Sequence, residues 1–247
     1  MPQSNRQQAL ESVLRNASVW RAEQVARDAP AGISTTHSAL DQALPDAGWP
    51  LGALTELLCE QTGIGELFLL LPALRALCAD GRGIALIAPP HPPFARAWEA
   101  AGIDLERLFV VDADGKALLW AAEQTLRSGE CGAVLVWGQG AGRALTHRAL
   151  QRLHLAAGTG HAACFLYRAA NAQTLPSPAP LRLRLAAHAG LLQAHIVKCR
   201  GIPRHGPIPL PLFPAHWDAP PVRRIPQPPP VATPPRLLAA PAPAKLA

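Results

Sequence analysis

Apolar residues along this chain fall into two kinds of run. A short buried strand opens the stretch 54–71, and short unbroken runs follow at 84–88, 108–111, 133–137 and 162–167. Each predicts a strand, and the runs at 84–88 and 133–137 predict strands buried in a parallel sheet covered on both faces. Between them the apolar positions take helical spacing. Leu118, Leu119, Ala122 and Leu126 share one side of 116–128, and Leu145, Ala149, Leu153 and Ala156 share one side of 144–157. A helix at 94–101 is ended by Gly102, and a helix at 65–79 is kinked or reset at Pro72. A short helix capped by Thr36 precedes the first strand and is stopped by Pro45. Residues 138–142 and 169–180 read as loops. Strands alternating with helices predict a doubly wound, mainly parallel α/β domain.

The pattern changes twice. Leu181-Arg182-Leu183-Arg184-Leu185 alternates strictly, as a half-exposed strand does, and 191–199 can return as its antiparallel hairpin partner. Ahead of the core, Leu10, Val13, Leu14, Ala17 and Trp20 line one face of a helix over 9–20. That helix either packs on its own domain or docks on a partner through Leu10, Val13, Leu14 and Trp20. From Pro203 onward the chain holds more than half of its 27 prolines, which predicts a disordered or polyproline-type tail. The organisation expected is therefore an N-terminal helix and linker (1–34), a core (35–202) and a Pro-rich tail (203–247).

Composition narrows the function classes. Of the 247 residues, 49% are hydrophobic, enough for a sizeable core, while only 5% are aromatic, so Leu and Ala do most of the packing. The net charge of +6 suits anionic partners or mere solubility. The five cysteines are widely spaced with no CxxC, which predicts small buried thiols in a reducing cytoplasm, with no disulfide and no zinc site. The polar start at 1–8 has no signal-peptide core, and the apolar run 67–77 is interrupted by Pro72 and Arg75 and too short for a bilayer. A soluble, cytoplasmic protein with no membrane partner is expected.

The candidate chemistry lies at 60–67. Strand, Gly-containing turn and apolar helix is the layout of a phosphate-binding loop. Such a loop needs a Lys against the β/γ-phosphates and a Ser or Thr on the metal. Here the first glycine position holds Glu60, the second holds Gly65, the lysine position holds Glu66, and the hydroxyl position holds Leu67. A carboxylate repels phosphate and leucine cannot ligate Mg²⁺, so the loop is read as kept for shape, with no nucleotide cofactor.

Other motifs carry less. Gly63-Ile64-Gly65 lacks the third glycine and the acidic residue of a dinucleotide fingerprint. His147, His154 and His161 recur every seventh residue, whereas metal pairs on a helix sit three or four apart, so surface histidines and no metal are expected. No Gly-x-Ser-x-Gly elbow supports acyl transfer. Arg143, Arg148, Arg152, Arg168, Arg182, Arg184, Lys198 and Arg200 gather in the second half. They serve DNA, an acidic protein surface, or only solvation. No aromatic is interleaved in the loops 138–143 and 169–180 to stack on bases. In the tail, Leu210, Leu212 and Phe213 either close the domain or form a docking peptide, and Trp217 with Arg223 and Arg224 is a second candidate for docking.

Several separated motifs resemble the RecA-like ATPase core: Thr36-His37-Ser38-Ala39-Leu40-Asp41, Leu44-Pro45, residues 48–56, the loop 60–67, residues 101–110, and Arg127-Ser128-Gly129 before the strand at 133–137. Within that group the chain is similar to the ImuA family, through Ala88-Pro89-Pro90, Ala121-Ala122-Glu123-Gln124, residues 126–129 and Lys198-Cys199-Arg200-Gly201. The resemblance covers residues 9–202. It implies a RecA-like sheet with a C-terminal antiparallel hairpin. Against RecA, the catalytic Glu position matches Pro90 and the Mg²⁺-associated Asp position matches Gly138, so a non-enzyme is implied.

The loops that touch single-stranded DNA in RecA match 138–143 and 169–180 here, much shortened. Residues 209–213 faintly resemble the peptide that docks polymerases on the sliding clamp, without its Gln. The implied role is an accessory of SOS-induced translesion synthesis. It would bind an ImuB-type polymerase homologue, with RecA, an error-prone polymerase III alpha-type subunit and the clamp as further partners, in the cytoplasm and at the nucleoid on damage. The alternative is a SulA-like division inhibitor acting on FtsZ.

Overall fold

A computed structural model describes residues 32–188, 190–200 and 206–211. All of them belong to the compact unit Met1–His216; a second unit spans Trp217–Ala247. The helix expected at 9–20, with Leu10, Val13, Leu14 and Trp20, lies outside the described residues, as do Leu212, Phe213, Trp217, Arg223 and Arg224.

The described chain is α/β. Its elements are α1 (Ser38–Asp41), β1 (Ala53–Cys59), α2 (Leu71–Ala79), β2 (Gly83–Ile87), α3 (Ala95–Ala100), β3 (Leu108–Val111), α4 (Gly115–Ser128), β4 (Cys131–Trp137), α5 (His147–Gly160), β5 (Ala163–Ala169), β6 (Leu181–His188), β7 (Leu191–Lys198) and β8 (Ile208–Leu210). Short 3-10 turns cover Leu105–Arg107, Gly138–Ala144 and Ala170–Thr174. The strands form one eight-stranded sheet in the order β3-β2-β4-β5-β1-β6-β7-β8. Pairing is parallel from β3 through β6 and antiparallel for β7 and β8.

The unbroken apolar runs of β2 and β4 are buried at every residue, and so is β1 despite its Thr55 and Glu56, whereas the edge strand β3 leaves Phe109 and Val110 half exposed. On one face Leu54, Ala85, Ile87, Val134, Val136 and Leu166 pack against Leu118, Ala122 and Leu126 of α4 and Leu150 and Leu153 of α5. Alternation sends Ile84, Leu86 and Leu135 to the opposite face, and α2 packs on β2 and β4. Trp49 sits edge-on to Phe165, 5.4 Å between ring centroids. α4 and α5 approach so closely that a Cβ on Gly160 would lie 1.8 Å from the Leu126 carbonyl oxygen. β1 stands between β5 and β6. The chain leaves β1 toward β2 and leaves β5 toward β6, in opposite directions, so the carboxyl ends of β1 and β5 form a switch point of the kind where open α/β sheets hold ligands.

Four expectations are corrected. Residues 65–70 are turns, not helix, and Pro72 stands in the first turn of α2, where its missing N–H costs nothing, so it starts a helix and kinks none. Residues 138–144 form 3-10 turns in place of a loop, which delays α5 to His147 and leaves Leu145 outside it. β6 is not half-exposed, because Arg182 is buried beneath the segment 170–180. The sheet also does not end before residue 203: Ile208–Leu210 pairs with β7 and Leu210 is buried. Proline is tolerated there because β8 is the edge strand and Pro209 faces outward. Among the described residues no helix is long and apolar enough to cross a membrane.

Candidate functional site: a closed loop, a buried carboxylate and a basic groove

The loop at the switch point is occupied by its own side chain. Gly63 and Gly65 both take positive φ, 79° and 96°, which lets 60–66 fold back over the end of β1. The Gly63 N–H, which a phosphate oxygen would use, donates instead to Glu66 Oε1 at 3.0 Å. The amides that should crown a helix N-terminus are spent on turns: Leu69 donates to Gly65 O at 3.3 Å and Leu70 to Leu67 O at 3.0 Å. α2 begins only at Leu71 and Leu70 offers no side-chain cap. The combination of free amides and dipole that binds anions is therefore missing from the loop. Glu60, the first glycine position, extends β1 instead. Its N–H bonds Leu185 O at 3.2 Å and its carboxylate pairs with Arg184. Leu67 is half-buried.

The two positions that the RecA resemblance matches to catalytic groups, Gly138 and Pro90, differ in setting. A Cβ on the buried Gly138 would meet Leu145 Cδ2 at 3.0 Å, Tyr167 O at 3.1 Å and Leu166 Cδ1 at 3.2 Å, so any side chain there would require these neighbours to give by a few tenths of an ångström. Pro90 is exposed in the turn after β2, two residues beyond Ala88, whose φ is 53°. Beneath the loop, Tyr167 stacks on Trp137 at 4.9 Å and its hydroxyl has no hydrogen-bond partner among the described residues. Burial, reinforced by Cys59 and Glu66, pushes the Tyr167 phenol well up. Burial, with Glu66 nearby, raises the Cys59 thiol to about 12, and burial alone raises Cys164 to about 12. Neither thiol is poised as a nucleophile.

Sequence reasoning missed the most developed polar cluster. Glu56, in the middle of β1, is fully buried. Register places it beside Arg182 of β6, and Arg168 lies two residues past its partner on β5. Arg182 Nε donates to Glu56 Oε2 at 2.6 Å, while Arg168 and the Ser177 hydroxyl donate to Oε1 at 3.1 and 2.8 Å. Arg182 also donates to the carbonyls of Ala172, Gln173 and Leu175. This network pins 170–180 over the sheet. Its one legible signal was Glu56, the lone charged residue of a mostly apolar strand run, a residue that is buried only when paired.

The basic residues expected to meet DNA or a partner therefore divide. Arg182 is withdrawn from that role, since it is buried with its donors engaged. Arg184 is tied to Glu60. Lys198 donates to Ser177 O at 2.9 Å. Lys198 and Arg200 lie near His154, whose pKa falls first through burial and then through these two cations. His154 is not a surface histidine: its Nδ1 accepts the Leu54 N–H at 3.3 Å. Among the described residues no cluster of His, Cys, Asp and Glu fits a metal.

Arg143, Arg148 and Arg152 are brought together. They line a groove of about 530 Å³ between α4 and α5, with Lys116 and the exposed Trp120. Although the loops hold no aromatic, α4 supplies one. No family model matches the chain, and no curated protein matches it.

Proposed function

We propose that this chain is a non-enzymatic, RecA-like scaffold of SOS-induced error-prone translesion DNA synthesis. It recruits or bridges an ImuB-type polymerase homologue, with RecA, a polymerase III alpha-type subunit and the sliding clamp as further partners. One observation carries the non-enzymatic part: the Glu66 carboxylate accepts the loop amide that a phosphate would need. The crowding around Gly138 and the late start of α2 support it independently. The assignment to SOS mutagenesis rests on the separated motifs that resemble the ImuA family. A sheet of parallel strands extended by an antiparallel hairpin, with the loop after its first strand, is compatible with that resemblance.

Mechanistically, the rigid sheet presents surfaces at fixed geometry, and segments flanking it raise the effective concentration of tethered partners. Calorimetric titration of the full chain with Mg·ATP tests the loop. The expected result is no heat of binding up to millimolar nucleotide. Saturable binding below about 0.1 mM, roughly 5.5 kcal/mol of affinity, would overturn the reading.

A further inference from the structure

We propose that the groove between α4 and α5 docks an acidic, amphipathic helical segment of a partner protein. This deepens the scaffold reading and rests on it only for the partner's identity.

Its floor is apolar, made by Leu119, Trp120, Ala149 and Leu153, and its rim carries Lys116, Arg143, Arg148 and Arg152. Trp120 is 62% exposed, although its neighbour Leu118 is fully buried. An exposed Trp in a concave site is the anchor type that dominates binding energy when a partner covers it. At about 530 Å³ the groove holds a few large side chains.

Charge selects the partner's sign. Among the described residues no carboxylate pairs with Lys116, Arg143 or Arg148. The groove's one acid, Glu123, is buried and taken by Arg127 and Arg152, and this pairing fixes Arg152 at the rim. Both 14-residue helices also begin at this end, with Lys116 in the first turn of α4 and Thr146 capping α5 through the Ala149 N–H. Their positive dipole ends add to the field. The floor favours a peptide over a nucleic acid, because a single strand needs successive stacking platforms and this groove supplies one aromatic. Two packed helices with an apolar seam suit a helix that offers apolar residues at i, i+3 or i+4 and i+7 and carboxylates on its flanks.

The test is a selection from a phage library of random 16-residue peptides on the full chain. It is counter-selected on the Trp120→Ala/Arg148→Glu variant, whose changed side chains are both exposed and whose fold is checked by circular dichroism. The expected winners are rich in Asp and Glu with large apolar residues at helical spacing. They should lose at least 10-fold in affinity with Trp120→Ala, and again with Arg148→Glu. Three results would overturn the proposal: winners without acidic character, winners that bind the variant equally, or a dT20 oligonucleotide that binds more tightly than any peptide and is lost with the same variants. Self-association abolished by Trp120→Ala would also overturn it, assigning the groove to a second copy of this chain.

Discussion

Replacing Glu56 by glutamine tests the buried network at its centre. Glu56 is 0% exposed, and the two guanidinium groups that meet it belong to residues 8% and 5% exposed. Glutamine keeps the shape, removes the charge, and turns one acceptor oxygen into a donor facing other donors. Two buried cations are left without a counter-charge. Removing one member of a buried pair costs about 3–5 kcal/mol, against a total stability on the order of 5–15 kcal/mol. With a urea slope of about 2 kcal/mol per molar, a loss near 4 kcal/mol lowers the unfolding midpoint by about 2 M. The exposed pair Arg184–Glu60 is the control, and Arg184→Gln should cost about 1 kcal/mol or less. Urea unfolding followed by circular dichroism measures both. Because Arg182 also holds three carbonyls of 172–175, Glu56→Gln should expose that segment to limited proteolysis. A midpoint shift under about 0.5 M, with no new cleavage, would refute the reasoning.

Four further outcomes follow from particular contacts. Gly160→Ala forces α4 and α5 apart at the Leu126 carbonyl and should cost about 2 kcal/mol, a fall of roughly 5 °C in Tm by differential scanning calorimetry. A chain ended after Ile202 loses β8 and the buried Leu210, and should melt below one ended after Pro211. The thiols of Cys59 and Cys164 are raised above their unfolded value near 9, so their contribution is complete below pH 9 and is lost as pH rises toward about 12, at about 1.4 kcal/mol per unit for each thiol. Urea midpoints measured from pH 8 to 11 should decline accordingly. His154 has a lowered folded pKa, so acidification below about 6.5 should destabilise the fold as the Nδ1 acceptor is protonated, and the His154 imidazole resonances should titrate below that pH.

What could be read from the sequence was set by periodicity, and what could not was set by tertiary contact. The strands at 84–88 and 133–137 were legible because burial on both faces leaves an unbroken apolar run, whereas the equally apolar run at 108–111 forms an edge strand that leaves Phe109 and Val110 half exposed. α4 was legible because its inward residues recur at helical spacing. Helix starts were less so: Pro72 reads equally as a kink or as a first-turn residue until the turns at 65–70 are seen. Arg182 looked solvated because alternation says which residues share a face, not what lies over that face. The overlying segment 170–180 has no periodicity of its own. That Glu66 and Leu67 stand where a phosphate loop has its Lys and hydroxyl was readable from residue type. The filling of the loop by Glu66 was not, because it depends on a backbone amide. The basic groove needed α4 and α5 side by side before Lys116 and Trp120 could join Arg143, Arg148 and Arg152.

The SOS-scaffold account also separates from a division inhibitor. Overproducing this chain in undamaged cells should leave division normal, whereas smooth filaments would point to the FtsZ-binding alternative.

The most direct measurement is co-purification of the full chain with the ImuB-type polymerase homologue of the same bacterium, with and without Mg·ATP, alongside a chain ended after Pro211 that keeps β8 intact. The account predicts a complex with the full chain that is indifferent to nucleotide and unchanged by Glu66→Gln. Absence of any complex, or a complex that forms only with Mg·ATP, would contradict it.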